Sequence, residues 1–228
     1  MNLLCGSFAV VAALMYNDLT LAFWLIVAGI VFDFFDGFVA RLLHSSSAIG
    51  VQLDSLADVI TSGLAPAAVL WQVCLQTEPC WLPEGWELGY GVFVLTAFSA
   101  LRLAKFNIDE TQTVEFCGLP TPAGSLLCAS LGMLWQQGAV ALSSDGVLLI
   151  AVLTSLLLVS PIRMFALKFH GFGWRGNEVR YLFLLASIVL IIILRTYAIP
   201  VIIVLYIVVS AVRWLCMRSG NPDKAPKA

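Results

Sequence analysis

Residues 22–43 read AFWLIVAGIVFDFFDGFVARLL, an apolar run long enough to cross a bilayer, which takes about 20 such residues. Two carboxylates, Asp33 and Asp36, stand inside it, and two more, Asp54 and Asp58, occupy the first turns of the next apolar run, 52–76. An ionised carboxylate at the centre of a span costs about 2.5–3.5 kcal/mol on insertion scales, so a group of them requires compensation. At about 100° per residue, Asp33, Asp36, Gly37, Ala40 and Arg41 share one helical stripe, and Asp54 and Asp58 share a face at i,i+4. The polar segment HSSSAIG, 44–50, reads as a short turn. The two spans are then antiparallel neighbours with all four acids directed into one cavity. Hard carboxylate oxygens beside a single Arg suit Mg²⁺ or Mn²⁺, ions that share their coordination with substrate phosphates. Gly37 and Ala40 lack bulk, which lets a ligand approach the backbone closely. The pattern points to a metal-bound diphosphate. Two other uses of buried acids stay open at this level: counter-ions for basic residues elsewhere in the bundle, and a proton or cation relay in a carrier.

Outward from this pair, polar and Gly/Pro-rich breaks divide the chain into apolar runs at 2–16, 19–43, 52–76, 88–106, 121–138, 146–169, 180–194 and 197–217. The expected fold is all-α, a polytopic membrane helix bundle of about eight transmembrane helices. It forms a single integral membrane domain over 1–218, followed at 219–228 by a short polar tail expected to be disordered in the cytoplasm. If Arg41 ends the second span in the cytoplasm, alternation places Arg102, Lys105, Arg163, Lys168, Arg175, Arg180, Arg213, Arg218, Lys224 and Lys227 on the same side. Arg195 alone then lies outside, so all but one of the 12 Lys and Arg residues obey the positive-inside rule. The loops 77–87 and 139–145, which carry Glu78, Glu84, Glu87 and Asp145 without a basic residue, fall outside. Both termini are expected in the cytoplasm.

Composition supports the same class. Of the 228 residues 61% are apolar and 11% charged, against about 45–50% and about 25% in soluble domains, which excludes a soluble globule and a disordered chain. A net charge of −2 makes no single-signed field for a polyanion, so nucleic acid is not an expected partner and membrane lipid is. The six cysteines, Cys5, Cys74, Cys80, Cys117, Cys128 and Cys216, have no CxxC spacing and read as small buried hydrophobes. Cys74 and Cys80 flank one loop, which leaves a disulfide open in an oxidising compartment.

Asp33-x-x-Asp36-Gly37-x-x-Ala40-Arg41, then eight residues, then Gly50-x-x-x-Asp54-x-x-x-Asp58 resembles in every fixed position the signature of the CDP-alcohol phosphatidyltransferases. The resemblance implies a membrane-embedded, Mg²⁺- or Mn²⁺-dependent transferase, working as a homodimer with a catalytic core over about 2–170. Such an enzyme takes a CDP-linked lipid, displaces CMP and joins the phosphatidyl group to an alcohol. Carried over by position, Asp33, Asp36 and Asp54 are expected metal ligands, and Asp58 the base for the acceptor hydroxyl and a further metal ligand. Gly37, Ala40, Arg41, Gly50 and Asn2 are expected to line the CDP-lipid pocket. The expected location is the cytoplasmic membrane of a prokaryote, with the active site facing the cytoplasm.

The stretches Gly50–Ile60 with Gly63-Leu-Ala-Pro66, Ser99-Ala-Leu-Arg102-Leu-Ala-Lys105-Phe-Asn107, and Phe116-Cys-Gly118-Leu-Pro120-Thr-Pro122 are similar to the branch of that family that uses serine. The lipid donor is then CDP-diacylglycerol, the acceptor L-serine and the nucleotide product CMP. Serine carries a carboxylate that needs a cation, and Arg102 and Lys105, at i,i+3, present two. Asn107 joins them as an expected serine-binding residue, with a helix C-cap as its other reading. Both cations also read as positive-inside anchors. Two rivals stay open: a sister enzyme that uses glycerol 3-phosphate or inositol phosphate, whose dianionic acceptor wants a denser basic pocket, and an ion or lipid carrier. The first run, 2–16, covers only about 22 Å of a core about 30 Å thick, from which the natural protein is expected to begin further upstream than Met1.

Overall fold

The computed structural model describes residues 1–43, 47–81, 88–108, 115–165 and 177–220. It is mostly helical: α1 (Asn2–Leu14), α2 (Leu19–Leu42), α3 (Ala48–Asp58), α4 (Ala65–Leu75), α5 (Val94–Ile108), α6 (Thr121–Gln136), α7 (Ser144–Leu158), α8 (Glu178–Leu194) and α9 (Ala198–Gly220). Among the described residues four stretches are long and apolar enough to cross a membrane: Leu19–Val39, Ile49–Leu75, Gly89–Ile108 and Glu178–Cys216. The last contains both α8 and α9, joined by the 3-10 turn Arg195–Tyr197. Asn2–Leu14 and Ser144–Leu158 are apolar but shorter. Each of the eight expected runs therefore contains helix, while four stretches among the described residues meet the length and apolarity of a span.

The boundaries follow local chemistry. The Ser47 side chain accepts from the amide of Gly50 and caps α3, so Ala48–Gly50 belong to that helix and not to the expected turn; His44–Ser46 lie outside the described residues. α3 and α4 form one continuous rod through the π-helical turn Val59–Leu64. Pro66 follows in the first turn of α4. Proline has no amide to donate and its ring crowds the preceding turn, and the wider π turn absorbs both defects. Pro120 stands at the N-cap position of α6 and Pro122 lies in its first turn, as expected of prolines at a helix start.

The run 146–169 breaks earlier than expected. α7 ends at Leu158, and beyond Ser160-Pro161 the chain forms β2 (Arg163–Phe165), antiparallel to β1 (Glu115–Cys117) with Phe116 opposite Met164. Proline ends the helix, and the all-α expectation gives way to a helical bundle with one short ribbon. Tyr206 of α9 donates to the carbonyl of Phe165 at 3.0 Å and packs on the rings of Phe165 and Phe183. Ser219 and Gly220 of the expected tail finish α9; 221–228 lie outside the described residues.

Small residues dominate the core. Ala9, Ala12, Ala13, Ala65, Ala67, Ala68, Ala129 and Ala151 are buried, which permits the close backbone approach that membrane helices use in place of a hydrophobic driving force. At Gly132 a Cβ would overlap Cγ1 of Val69, so only glycine lets α6 close on α4. Gly118, at φ +77, brings β1 against the carbonyl of Leu158. Of the cysteines Cys5 and Cys128 are buried, whereas Cys80, Cys117 and Cys216 are exposed. None of the six is in a disulfide, and Cys74 donates to the carbonyl of Ser144 instead of pairing with Cys80.

Chain direction alternates, which sorts the polar groups to two ends. At one end Gln136 Oε1 accepts from the amides of Leu19 and Thr20 at 2.9 and 3.1 Å, and Gln76 donates to Asn17 Oδ1 at 2.9 Å. There too the Asp145 carboxylate accepts from the amides of Cys80, Trp81 and Gly146, which ties the loop after α4 to the start of α7. The Ser143 side chain, followed by these amides, holds the Asp145 carboxyl down to about 2. Since an unfolded Asp titrates near 3.9, this contact contributes stability above about pH 4 that is lost as pH falls towards 2. Asp145→Asn is therefore expected to lower the melting temperature in detergent at pH 7, with the gap to the parent closing between about pH 4 and 2.

Candidate active site

The opposite end gathers the start of α1, the end of α2, α3 with the π turn that follows it, the end of α5 and the start of α6. Asn2, buried at 3% exposure, donates from Nδ2 to Asp33 Oδ1 at 3.0 Å and to Asp58 Oδ1 at 2.9 Å. Asp33 and Asp58 are half-buried and Asp54 is exposed; Asp33 interacts electrostatically with both of the others, and Asp54 with Asp58. Three of the four expected acids thus form one group. Asp36 stands apart, 61% exposed, with its carboxylate 3.9 Å from the α-amino group of Met1.

Arg102, on the α5 side of this group, is 8% exposed. Nη1 donates to Thr121 Oγ1 at 2.6 Å, the guanidinium lies 5.8 Å from the Phe106 ring centre, and Asp58 is within its electrostatic reach. Its Nε is buried with no hydrogen-bond partner among the described residues. A cavity of about 310 Å³ opens beside it, lined by Arg102, Lys105, Phe106, Cys117 and Ser160 among others. None of the four aspartates lines it. Asp58 therefore stands between an acid group on one side and a buried cation with an adjoining cavity on the other.

The remaining expected residues are spread around this core. Lys105 is exposed at the cavity. Asn107 does not line the cavity: its Nδ2 donates to Ser55 Oγ at 2.9 Å and ties α5 to α3. Gly37 is half-buried in α2, and Gly50 is exposed in the first turn of α3. Ala40 and Arg41 belong to α2, and their side chains lie outside the described residues. Thr121, Cys117 and Ser160 escaped the sequence reading. Thr121 carried one usable signal, a hydroxyl between two prolines at the start of a span.

Among the described residues no three His, Cys, Asp or Glu side chains converge tightly enough to hold a metal ion as they stand. In kind the donors do fit one: Asp33, Asp54 and Asp58 are hard oxygen ligands whose mutual repulsion a divalent cation relieves.

An acid group beside a buried guanidinium, at one end of an apolar helix bundle, is the chemistry of a membrane enzyme that handles anionic substrates. The chain belongs to the CDP-alcohol phosphatidyltransferase family, whose model matches residues 1–160. It is 32% identical over 173 residues to the CDP-diacylglycerol--serine O-phosphatidyltransferase of Bacillus subtilis (strain 168), covering 75% of this chain and 88% of the relative. The enzyme of the same name from Helicobacter pylori (strain ATCC 700392 / 26695) is 30% identical over 203 residues, covering 86% and 80%. That from Mycobacterium tuberculosis (strain ATCC 25618 / H37Rv) is 32% identical over 241 residues, covering 98% and 81%.

Proposed function

We propose that the protein transfers the phosphatidyl group of CDP-diacylglycerol to the hydroxyl of L-serine, giving phosphatidylserine and CMP. The position of Asp58 carries this reading: it touches Asn2 within the acid group and lies in the field of Arg102. A base so placed reaches an acceptor whose hydroxyl faces the acids and whose carboxylate faces the guanidinium. Asp33, Asp36, Asp54 and Asp58 would hold Mg²⁺ or Mn²⁺, which supplies charge to neutralise the diphosphate and the departing CMP. Asp58 accepts the serine hydroxyl proton as the serine oxygen bonds to the lipid-side phosphorus and the bond from that phosphorus to the CMP oxygen breaks. Arg102 and Lys105 orient the serine carboxylate. Gly37, Ala40, Arg41 and Gly50 border the nucleotide.

Supporting this reading, Arg102, Lys105 and Arg163 lie at the acid end of the bundle, while Arg195 lies at the end held by Gln136. With basic residues inside, the site faces the cytoplasm of a prokaryotic inner membrane. The chain then crosses eight times as one domain, with both termini cytoplasmic, and works as a homodimer in lipid.

Purified protein given CDP-diacylglycerol, Mn²⁺ and a panel of alcohols tests the reading through CMP release. Serine is expected to drive release together with phosphatidylserine formation. Release driven by glycerol 3-phosphate or inositol phosphate in its place would assign the sister activity. CMP is expected to raise the melting temperature, a protection an ion carrier has no reason to show.

A further inference from the structure

The amide of Asn2 bridges two carboxylates from different helices, and Thr61 holds Asn2 there. Thr61 is fully buried in the π turn, and its Oγ1 donates to the backbone carbonyl of Asn2 at 3.1 Å. The rest of the side chain fills a slot between α1 and α2 that two glycines make. A Cβ on Gly29 would lie 2.6 Å from Thr61 Cγ2, and one on Gly6 would lie 2.8 Å from Thr61 Cα and overlap Oγ1. From the far side Ser125 of α6 donates to the Thr61 carbonyl at 3.5 Å.

The spacing gives this slot its meaning. Gly6 follows Asn2 by four residues, Gly29 precedes Asp33 by four, and Thr61 follows Asp58 by three. Each member of the Asn2–Asp33–Asp58 group thus sits one turn from the point where its own helix touches the slot. Movement of any of the three helices at the slot is passed to the acids over about 5 Å of rigid helix.

We propose that Thr61 is a positioning residue for the transfer reaction, which sets Asp58 and Asp33 by anchoring Asn2. This inference rests on the reading that Asp58 takes the acceptor proton. The methyl of Thr61 fixes α2 through Gly29, the hydroxyl fixes α1 through the Asn2 carbonyl, and the Asn2 amide carries the registration to the two carboxylates. A displacement near 1 Å of a reacting group costs about 10²-fold in rate, so the effect falls on kcat.

The test is a comparison of variants in CMP release with CDP-diacylglycerol and serine. Thr61→Val keeps the shape and removes the hydroxyl; it is expected to lower kcat about 10- to 100-fold with KM for serine and the melting temperature nearly unchanged. Thr61→Ser restores the hydroxyl and is expected to recover most of the rate. Asn2→Ala is expected to lose at least as much as Thr61→Val, and the double variant no more than Asn2→Ala alone, because Thr61 acts through Asn2. Should Thr61→Val not fold, Thr61→Ala, which also lacks the hydroxyl and only opens space, takes its place. A Thr61→Val enzyme that turns over like the parent overturns the inference, as does a double variant whose losses multiply. A parent protein that releases no CMP with serine overturns the proposed function instead, so the two failures are distinguishable.

Discussion

Asp58→Asn is expected to lower kcat by about 10²–10⁴-fold, the usual contribution of a positioned base, while CDP-diacylglycerol still binds in the presence of Mn²⁺. An Asn at this position retains an oxygen to accept from Asn2 Nδ2 but cannot take a proton, so the pocket persists and the chemistry stops. Asp36→Asn is expected to lose binding as well as turnover. Among the described residues its exposed carboxylate meets only the chain's own amino group, so a loss there reports on ligand and not on fold. Equilibrium binding of the CDP-lipid alongside CMP release separates the two. Equal residual activity and equal binding in both variants would remove the distinction between base and ligand.

Arg102→Ala is expected to raise KM for serine about 10- to 100-fold, the equivalent of a charge-assisted hydrogen bond of about 1.5–3 kcal/mol. Affinity for CDP-diacylglycerol stays nearly unchanged. The guanidinium is already oriented by Thr121 and Phe106 and keeps a buried Nε without a partner among the described residues, an arrangement that an anchor at the lipid interface does not need. Serine KM, measured at saturating CDP-lipid, decides the matter: an unchanged value returns Arg102 to the role of a membrane anchor.

The acids were legible in the sequence because a carboxylate within an apolar run has no inexpensive explanation, and because i,i+3 and i,i+4 spacing survives in any helix. What escaped reading depends on where separate helices cross. Asn2 meets Asp33 and Asp58 across 31 and 56 residues of chain, and Asn107 meets Ser55 across 52; no local periodicity encodes such a meeting. Hydropathy extended the sixth run too far because Met164 and Phe165 are as apolar as any helix residue and are buried in the ribbon, so their hydrophobicity was real and its geometry was not helical. Asp36 shares a stripe with Asp33, yet faces another surface, since a stripe wide enough for both is wider than the contact that buries one.

The π turn between α3 and α4 carries a consequence for how such a chain can vary. A π turn accommodates one residue more than the α-helical turn it replaces, and one residue is worth about 100° of helical rotation. Removing a single residue from Val59–Leu64 would close the turn to a regular helix with the acids and Val69 at nearly their present angles, but it would return the Pro66 ring to the tighter α-helical turn that it crowds. A residue gained or lost elsewhere between Asp58 and Val69 would instead rotate the acids by that angle relative to the contact of Val69 with Gly132. Side chains along this rod are therefore free to drift where packing allows, and the π turn is where the count of residues can change by one without turning the acids. Outside it, insertions and deletions that a surface loop absorbs are excluded by angular registration.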